Sequence, residues 1–257
     1  VITAVVAIGA LVEVPASPFA RHGDPERQVP VADESTESAQ SPVRSELPRR
    51  VTIPAQPRET IAYPVVGPRR YAVLPGDPAV IGRGGRLMRF RIAIESGITG
   101  VDQAAFGRFV RATYGAGAGW ASRGQWRFQQ VGPGEPVDFT LMLVTPQTRD
   151  AICGAAPDRY TSCRIGDQVV LNVARWAHGV RGFGASLTTY RHYMINHETG
   201  HRLGRGHELC PGPGQPAPVM QQQTLGLHGC TAYAWPYLNG ARYQGRLGQY
   251  DDPVPQS

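Results

Sequence analysis

His197-Glu198-Thr199-Gly200-His201-Arg202-Leu203-Gly204-Arg205-Gly206-His207 is the stretch from which the rest of the chain is best read. It fits H-E-x-x-H-x-x-G-x-x-H at every fixed position. Residues four apart lie on one face of a helix, so His197 and His201 can point at one metal ion. Glu198 sits one residue on, turned toward the side where a metal-held water lies. The helix must then end so that the chain can turn and deliver a third ligand. Gly204 supplies that ending, because glycine takes a left-handed conformation at low cost. His207 follows three residues later and completes the set. Three neutral imidazoles suit Zn2+ and leave a fourth position for water, with Glu198 as the general base that accepts its proton. The bland alternative is a polar helix with surface histidines. It must place three of the chain's seven histidines in this one segment by coincidence.

The preceding residues extend the helix. Ser186 or Thr188 can cap it, and Tyr190, Met194 and His197 then fall at i, i+4 and i+7. Tyr190 and Met194 read as core. His192 falls off the ligand face and reads as exposed. Asn196, beside the first ligand, either orients it through a hydrogen bond or is an ordinary surface residue.

Further upstream, residues 87–94 (LMRFRIAI) alternate apolar and basic side chains, the pattern of a half-buried strand. Asp102 can cap a helix through residues 101–114, with Ala105, Phe106, Phe109 and Val110 on one face and glycines after it. Residues 126–131, 137–144 and 169–173 read as further strands. A strand, a helix, several strands and a second helix predict an α+β domain.

Composition sets the surroundings of that domain. The 257 residues are 41% apolar, with 31 Gly and 23 Pro, as expected of a folded unit diluted by irregular chain. Prolines recur from Pro15 to Pro68, so residues 14–70 read as a flexible spacer and residues 71–252 as the catalytic domain. A pro-segment covering the active site is the rival reading of the spacer. Residues 1–12 (VITAVVAIGALV) are apolar, uncharged and too short to span a bilayer. Residues 1–13 therefore read as the remnant of a signal peptide or of an anchor tethering the protein to a membrane; a buried strand is the alternative.

The four cysteines contain no Cys-x-x-Cys. Near-neighbour pairing as Cys153–Cys163 and Cys210–Cys230 closes two short Gly- and Pro-containing loops, against the alternative of four reduced buried thiols. Disulfides imply an oxidising compartment, hence a protein outside the cytoplasm, secreted or anchored. The formal net charge is +6, and all 26 basic residues are Arg. They are spread without a block of five, which argues against a nucleic-acid partner. The chain reads as a monomer acting on a peptide or protein.

Over residues 197–220 the sequence resembles the metzincin clan of zinc peptidases. That clan follows the third histidine with a methionine-containing turn forming an apolar floor under the metal. Ala217-Pro218-Val219-Met220-Gln221 looks like that turn, with Met220 as its methionine, although a methionine is also a common core filler. Residues 196–204, 218–224 and Trp235-Pro236 also resemble an uncharacterised actinobacterial family of exported zincin-like domains that follow an N-terminal anchor.

The resemblance implies a twisted mixed sheet above a cleft, an active-site helix and a small C-terminal subdomain. It implies a zinc metalloendopeptidase whose extended substrate pairs with an edge strand. Residues 169–173 are the candidate for that edge strand, or else an ordinary interior one. Some metzincins carry a Tyr two residues after the turn methionine to assist the oxyanion. Gln222 stands there in this chain, and Tyr233, Tyr237 and His228 remain as alternatives. Two other functions compete: a zinc-stabilised cell-surface module that cleaves nothing, and hydrolysis of a non-peptide amide. Glu198 favours an enzyme, since metal binding alone does not require that carboxylate.

Overall fold

The computed structural model describes residues 60–154 and 158–255. The apolar segment at residues 1–13 and most of the proline-rich spacer lie outside the described residues. In chain order the elements are β1 (Tyr71–Val73), β2 (Val80–Ile81), β3 (Arg86–Glu95), α1 (Gln103–Gly115), β4 (Trp126–Gln130), β5 (Phe139–Val144), α2 (Pro146–Cys153), β6 (Cys163–Ile165), β7 (Gln168–Asn172), α3 (Val173–His178), α4 (Leu187–Arg202), β8 (Tyr237–Leu238) and β9 (Ala241–Arg242).

The alternation in β3 builds the centre. Met88, Phe90, Ile92 and Ile94 are buried on one face, while Arg89 is exposed and Arg91 half-buried between them. Strand β4 runs parallel to the first half of β3, β1 antiparallel to its second half, and β5 parallel along its other side. Strand β7 extends the sheet parallel to β5, and β6 closes that end antiparallel to β7. The result is one mixed sheet in the order β2-β4-β3-β5-β7-β6, with β1 beside β3. Helical crossovers explain the parallel pairs, since α1 joins β3 to β4 and α2 follows β5.

The main core lies on one face. Alternate residues of β3, β4, β5 and β7 meet Phe106, Val110 and Tyr114 of α1, and Tyr190, Tyr193, Met194 and Ile195 of α4. A smaller cluster of Ala93, Met142, Val144 and Val170 fills the other face against Ile152 and the Cys153–Cys163 pair. This is the expected α+β arrangement. After α4 the chain is turns and loops, with β8 and β9 as a short hairpin. Both expected disulfides are present, Cys153–Cys163 tying α2 to β6 and Cys210–Cys230 bracketing the turn around Met220.

Two expectations are corrected. Residues 169–173 are not an edge strand: β7 is paired on both sides, and β6 is the edge. The unbroken apolar run in residues 169–171 fits that interior place, because both faces of β7 are covered. The packed domain also starts before Tyr71. Ala62 exchanges two backbone hydrogen bonds with Thr99, at 3.0 and 2.8 Å, and Val65 accepts one from Gln147 at 3.0 Å. Ile61 and Tyr63 pack on the main core. Gly67 lies so close to the buried Glu95 carboxylate that a Cβ there collides with it. Residues 60–70 are thus domain, not spacer. Pro64 and Pro68 restrict regular pairing, and Val65 and Val66 between them stay exposed, but Ile61 and Tyr63 ahead of them are still partly buried. Among the described residues, no helix is long and apolar enough to cross a membrane.

Candidate metal centre

Helix α4 carries the site. Its N-cap is Ser186, whose Oγ accepts from the Thr189 amide at 3.1 Å. Its buried stripe of Tyr190, Tyr193, Met194 and Ile195 faces the sheet. The helix ends at Arg202, and Gly204 follows with φ +84°, the left-handed turn that the glycine was expected to supply. His207 then returns to the two helical histidines.

The three Nε2 atoms converge. His201 Nε2 lies 3.2 Å from that of His197 and 3.1 Å from that of His207. Each Nδ1 faces an oxygen: the Val219 carbonyl at 2.8 Å, the Arg205 carbonyl at 2.9 Å and Gln249 Oε1 at 2.9 Å. A carbonyl oxygen only accepts, so each Nδ1 carries the proton and each Nε2 presents a lone pair. Three lone pairs aimed at one point repel one another unless a cation lies between them. Their spacing also fits: nitrogens held tetrahedrally at about 2.0–2.1 Å from zinc stand about 3.3 Å apart. The donor set therefore fits a zinc ion. Burial, followed by the neighbouring histidines, holds the His197 imidazole well below its ordinary pKa and lowers His201 to about 4. Both rings are neutral at physiological pH, the form a metal ligand requires.

Glu198 lines the same pocket, of about 420 Å³, together with the three histidines. Its carboxyl is pushed up to about 8 by burial, partly offset by the guanidinium charges of Arg149 and Arg164. Among the described residues nothing donates a hydrogen bond to it, so it is available to a group in the pocket.

The turn at Met220 touches every ligand-bearing segment. The Val219 carbonyl orients His197, and the Met220 carbonyl accepts from the Glu208 amide, next to His207, at 3.1 Å. The Met220 sulfur packs against Gly200, in the turn of helix between His197 and His201, where a Cβ has no room. Gly200, an unassigned position in the motif, is thus needed for close approach of the methionine. The Tyr193 hydroxyl donates to the Gln221 carbonyl at 3.1 Å and fixes the turn from the helix side.

Other expected site residues fall differently. Asn196 does not touch His197; its Nδ2 donates to the Ala234 carbonyl at 2.9 Å, so it ties the C-terminal chain to the helix. His192 is half-buried rather than exposed, with its ring stacked on Phe109 and its Nδ1 2.8 Å from Thr113 Oγ1. Its face meets α1, which the reading of α4 alone did not include. Gln222 lines the pocket, but Tyr233, Tyr237 and His228 do not. Tyr233 donates to the Tyr237 carbonyl at 2.7 Å, Tyr237 is buried, and His228 pairs with Asp252 at 2.8 Å.

Four further residues at the site were not legible in the sequence. Trp120, fully buried, donates to the Asn196 carbonyl at 3.0 Å and packs beneath Gly200. Gln249 orients His207 from far along the chain. Arg149 and Arg164 line the pocket beside Glu198. No local spacing links these residues to the motif.

The class so defined is an α+β domain with a three-histidine cluster that could hold a metal ion and a buried glutamate lining the same pocket. The chain belongs to the family described as "Protein of unknown function (DUF3152)", whose model matches residues 58–237. That match begins close to the first packed residues and ends short of Gln249. No curated protein and no solved structure matches the chain.

Proposed function

We propose that this protein is a zinc-dependent peptidase of the metzincin type, working outside the cytoplasm. The observation that carries the reading is the convergence of three Nε2 lone pairs beside a buried glutamate in one open pocket. His197, His201 and His207 would hold a zinc ion, which would supply Lewis acidity and lower the pKa of a water in the pocket. The charge of a bound cation would draw the Glu198 carboxyl back down from its metal-free value, and Glu198 would then take the proton from the attacking water and return it to the leaving amine. The turn at Met220 keeps the ligands in register from below.

The sheet supplies the substrate platform. Strand β6 has no partner on its outer side among the described residues and lies on the pocket wall through Cys163 and Arg164. An extended peptide pairs with that edge, rather than with residues 169–173, by strand addition. The Cys153–Cys163 disulfide holds the edge to α2. Two disulfides require an oxidising compartment, and the protein is secreted or held at the membrane surface.

Hydrolysis of a mixed peptide pool, followed by mass spectrometry, tests this. The zinc-loaded full chain cleaves, a chelator stops cleavage and zinc restores it. Glu198→Gln binds zinc but loses turnover. A zinc-loaded wild type that cleaves nothing favours a binding module instead.

A further inference from the structure

Resting on the peptidase reading, we infer that Arg164 is a specificity-determining residue that recognises a carboxylate on the bound peptide. Two independent features place it. Strand alternation sends Cys163 to the α2 face, where it packs with Val170 and Met142. Arg164 therefore projects to the opposite face, across from Val169, whose side chain lies in the α4 core. The pocket geometry agrees: Arg164 lines the same cavity as Glu198 and the three histidines.

Arg164 has a free charge, unlike its neighbour. Arg149 is buried and committed to Asp158 at 2.7 Å and Asp150 at 3.2 Å. Asp158 is committed in turn, accepting also from the Tyr160 and Thr161 amides and from Thr161 Oγ1. Arg164 makes no ion pair or hydrogen bond among the described residues, and its side chain is exposed at the rim. The only other carboxylate lining the pocket is Glu198, which the proposed chemistry occupies. With a divalent cation below, the pocket is electropositive and its rim offers a planar five-donor fork. That fork matches a carboxylate in a two-point hydrogen-bonded pair. Because Arg164 lies on the strand to which the peptide is added, the recognised group is close to the scissile bond. It is an acidic side chain or the peptide's own terminal carboxylate.

The test uses the zinc-loaded full chain and calorimetric titration with hydroxamate-capped dipeptide amides that differ only as Asp or Asn. A third probe carries Asn with a free terminal carboxylate. Wild type should prefer a carboxylate probe over the Asn amide by about tenfold. The Asp probe marks a side-chain site and the third probe a chain-end site. Arg164→Gln should reduce either preference to within about twofold with the melting temperature unchanged. Arg164→Lys should recover part of the preference. Equal binding of all three probes by wild type, or a preference that survives Arg164→Gln, overturns this proposal alone. If no hydroxamate binds at all, the zinc-site reading falls with it.

Discussion

His197 and His201 are held in a different way from His207. The helical pair is oriented by two backbone carbonyls, those of Val219 and Arg205. His207 sits in a loop and is oriented by the exposed side chain of Gln249. Its backbone is steadied by the chain near the C-terminus: the His207 carbonyl accepts from Gly248, and Glu208 forms a buried pair with Arg242 at 2.7 Å. The helical pair is thus held by its place on α4 and by backbone carbonyls, one of them from the turn at Met220, and the third ligand by a side chain distant in sequence. A backbone carbonyl persists through side-chain substitution, whereas Gln249 can be altered by itself.

The largest expected effect comes from the ligands themselves. His197→Ala, His201→Ala and His207→Ala should each abolish stoichiometric zinc binding, as measured by elemental analysis after dialysis. The comparison breaks if His207→Ala retains zinc as well as wild type, for the loop histidine is then not a ligand.

Next comes the floor. Met220→Ala should destabilise the metal-free protein by about 2–5 kcal/mol, the range for truncating a buried large side chain. Gly200→Ala should cost about 1–3 kcal/mol through crowding against the same sulfur. The double variant should lose less than the sum, because the smaller side chain makes room for the new methyl. Denaturant unfolding of the four proteins reads the coupling. Strict additivity would show that Met220 and Gly200 do not meet.

These positions mark how much the sequence disclosed. The histidines, Glu198 and Gly204 were legible because helix periodicity and a single turn fix their relations over a few residues. Helix α1, its Asp102 cap and the central strands were legible because each advertises one face by its own alternation. Met220 was legible only through a family resemblance. Trp120, Gln249 and Arg164 were not, since each reaches the site through tertiary packing that leaves no local spacing. The edge of the sheet was misassigned for a related reason. An apolar strand and its place in the strand order are separate facts, and β6, at three residues, is too short to announce itself. The start of the domain is not legible because the high proline content masks the two core-packed residues Ile61 and Tyr63.

That boundary gives the third expectation. A chain starting at residue 71 should melt at least about 5 °C below one starting at residue 58, since it loses the Ala62–Thr99 pair and two core-packed side chains. Equal melting by calorimetry would mean that residues 60–70 contribute nothing to the fold.

The smallest effect sharpens the opening comparison. Gln249→Ala should lower zinc affinity by about 10–100-fold, as loss of a ligand's hydrogen-bond partner typically does. Metal-free stability should stay unchanged, because the side chain is exposed. Competition with a chelating dye measures it. An unaltered affinity would show that His207 needs no help from the distant chain.

Equilibrium dialysis of the full chain against zinc tests the central claim most directly. The account expects one zinc per chain for wild type and for Glu198→Gln, and none retained by His197→Ala. A wild type that takes up no zinc, or a His197→Ala variant that retains a full equivalent, would contradict it.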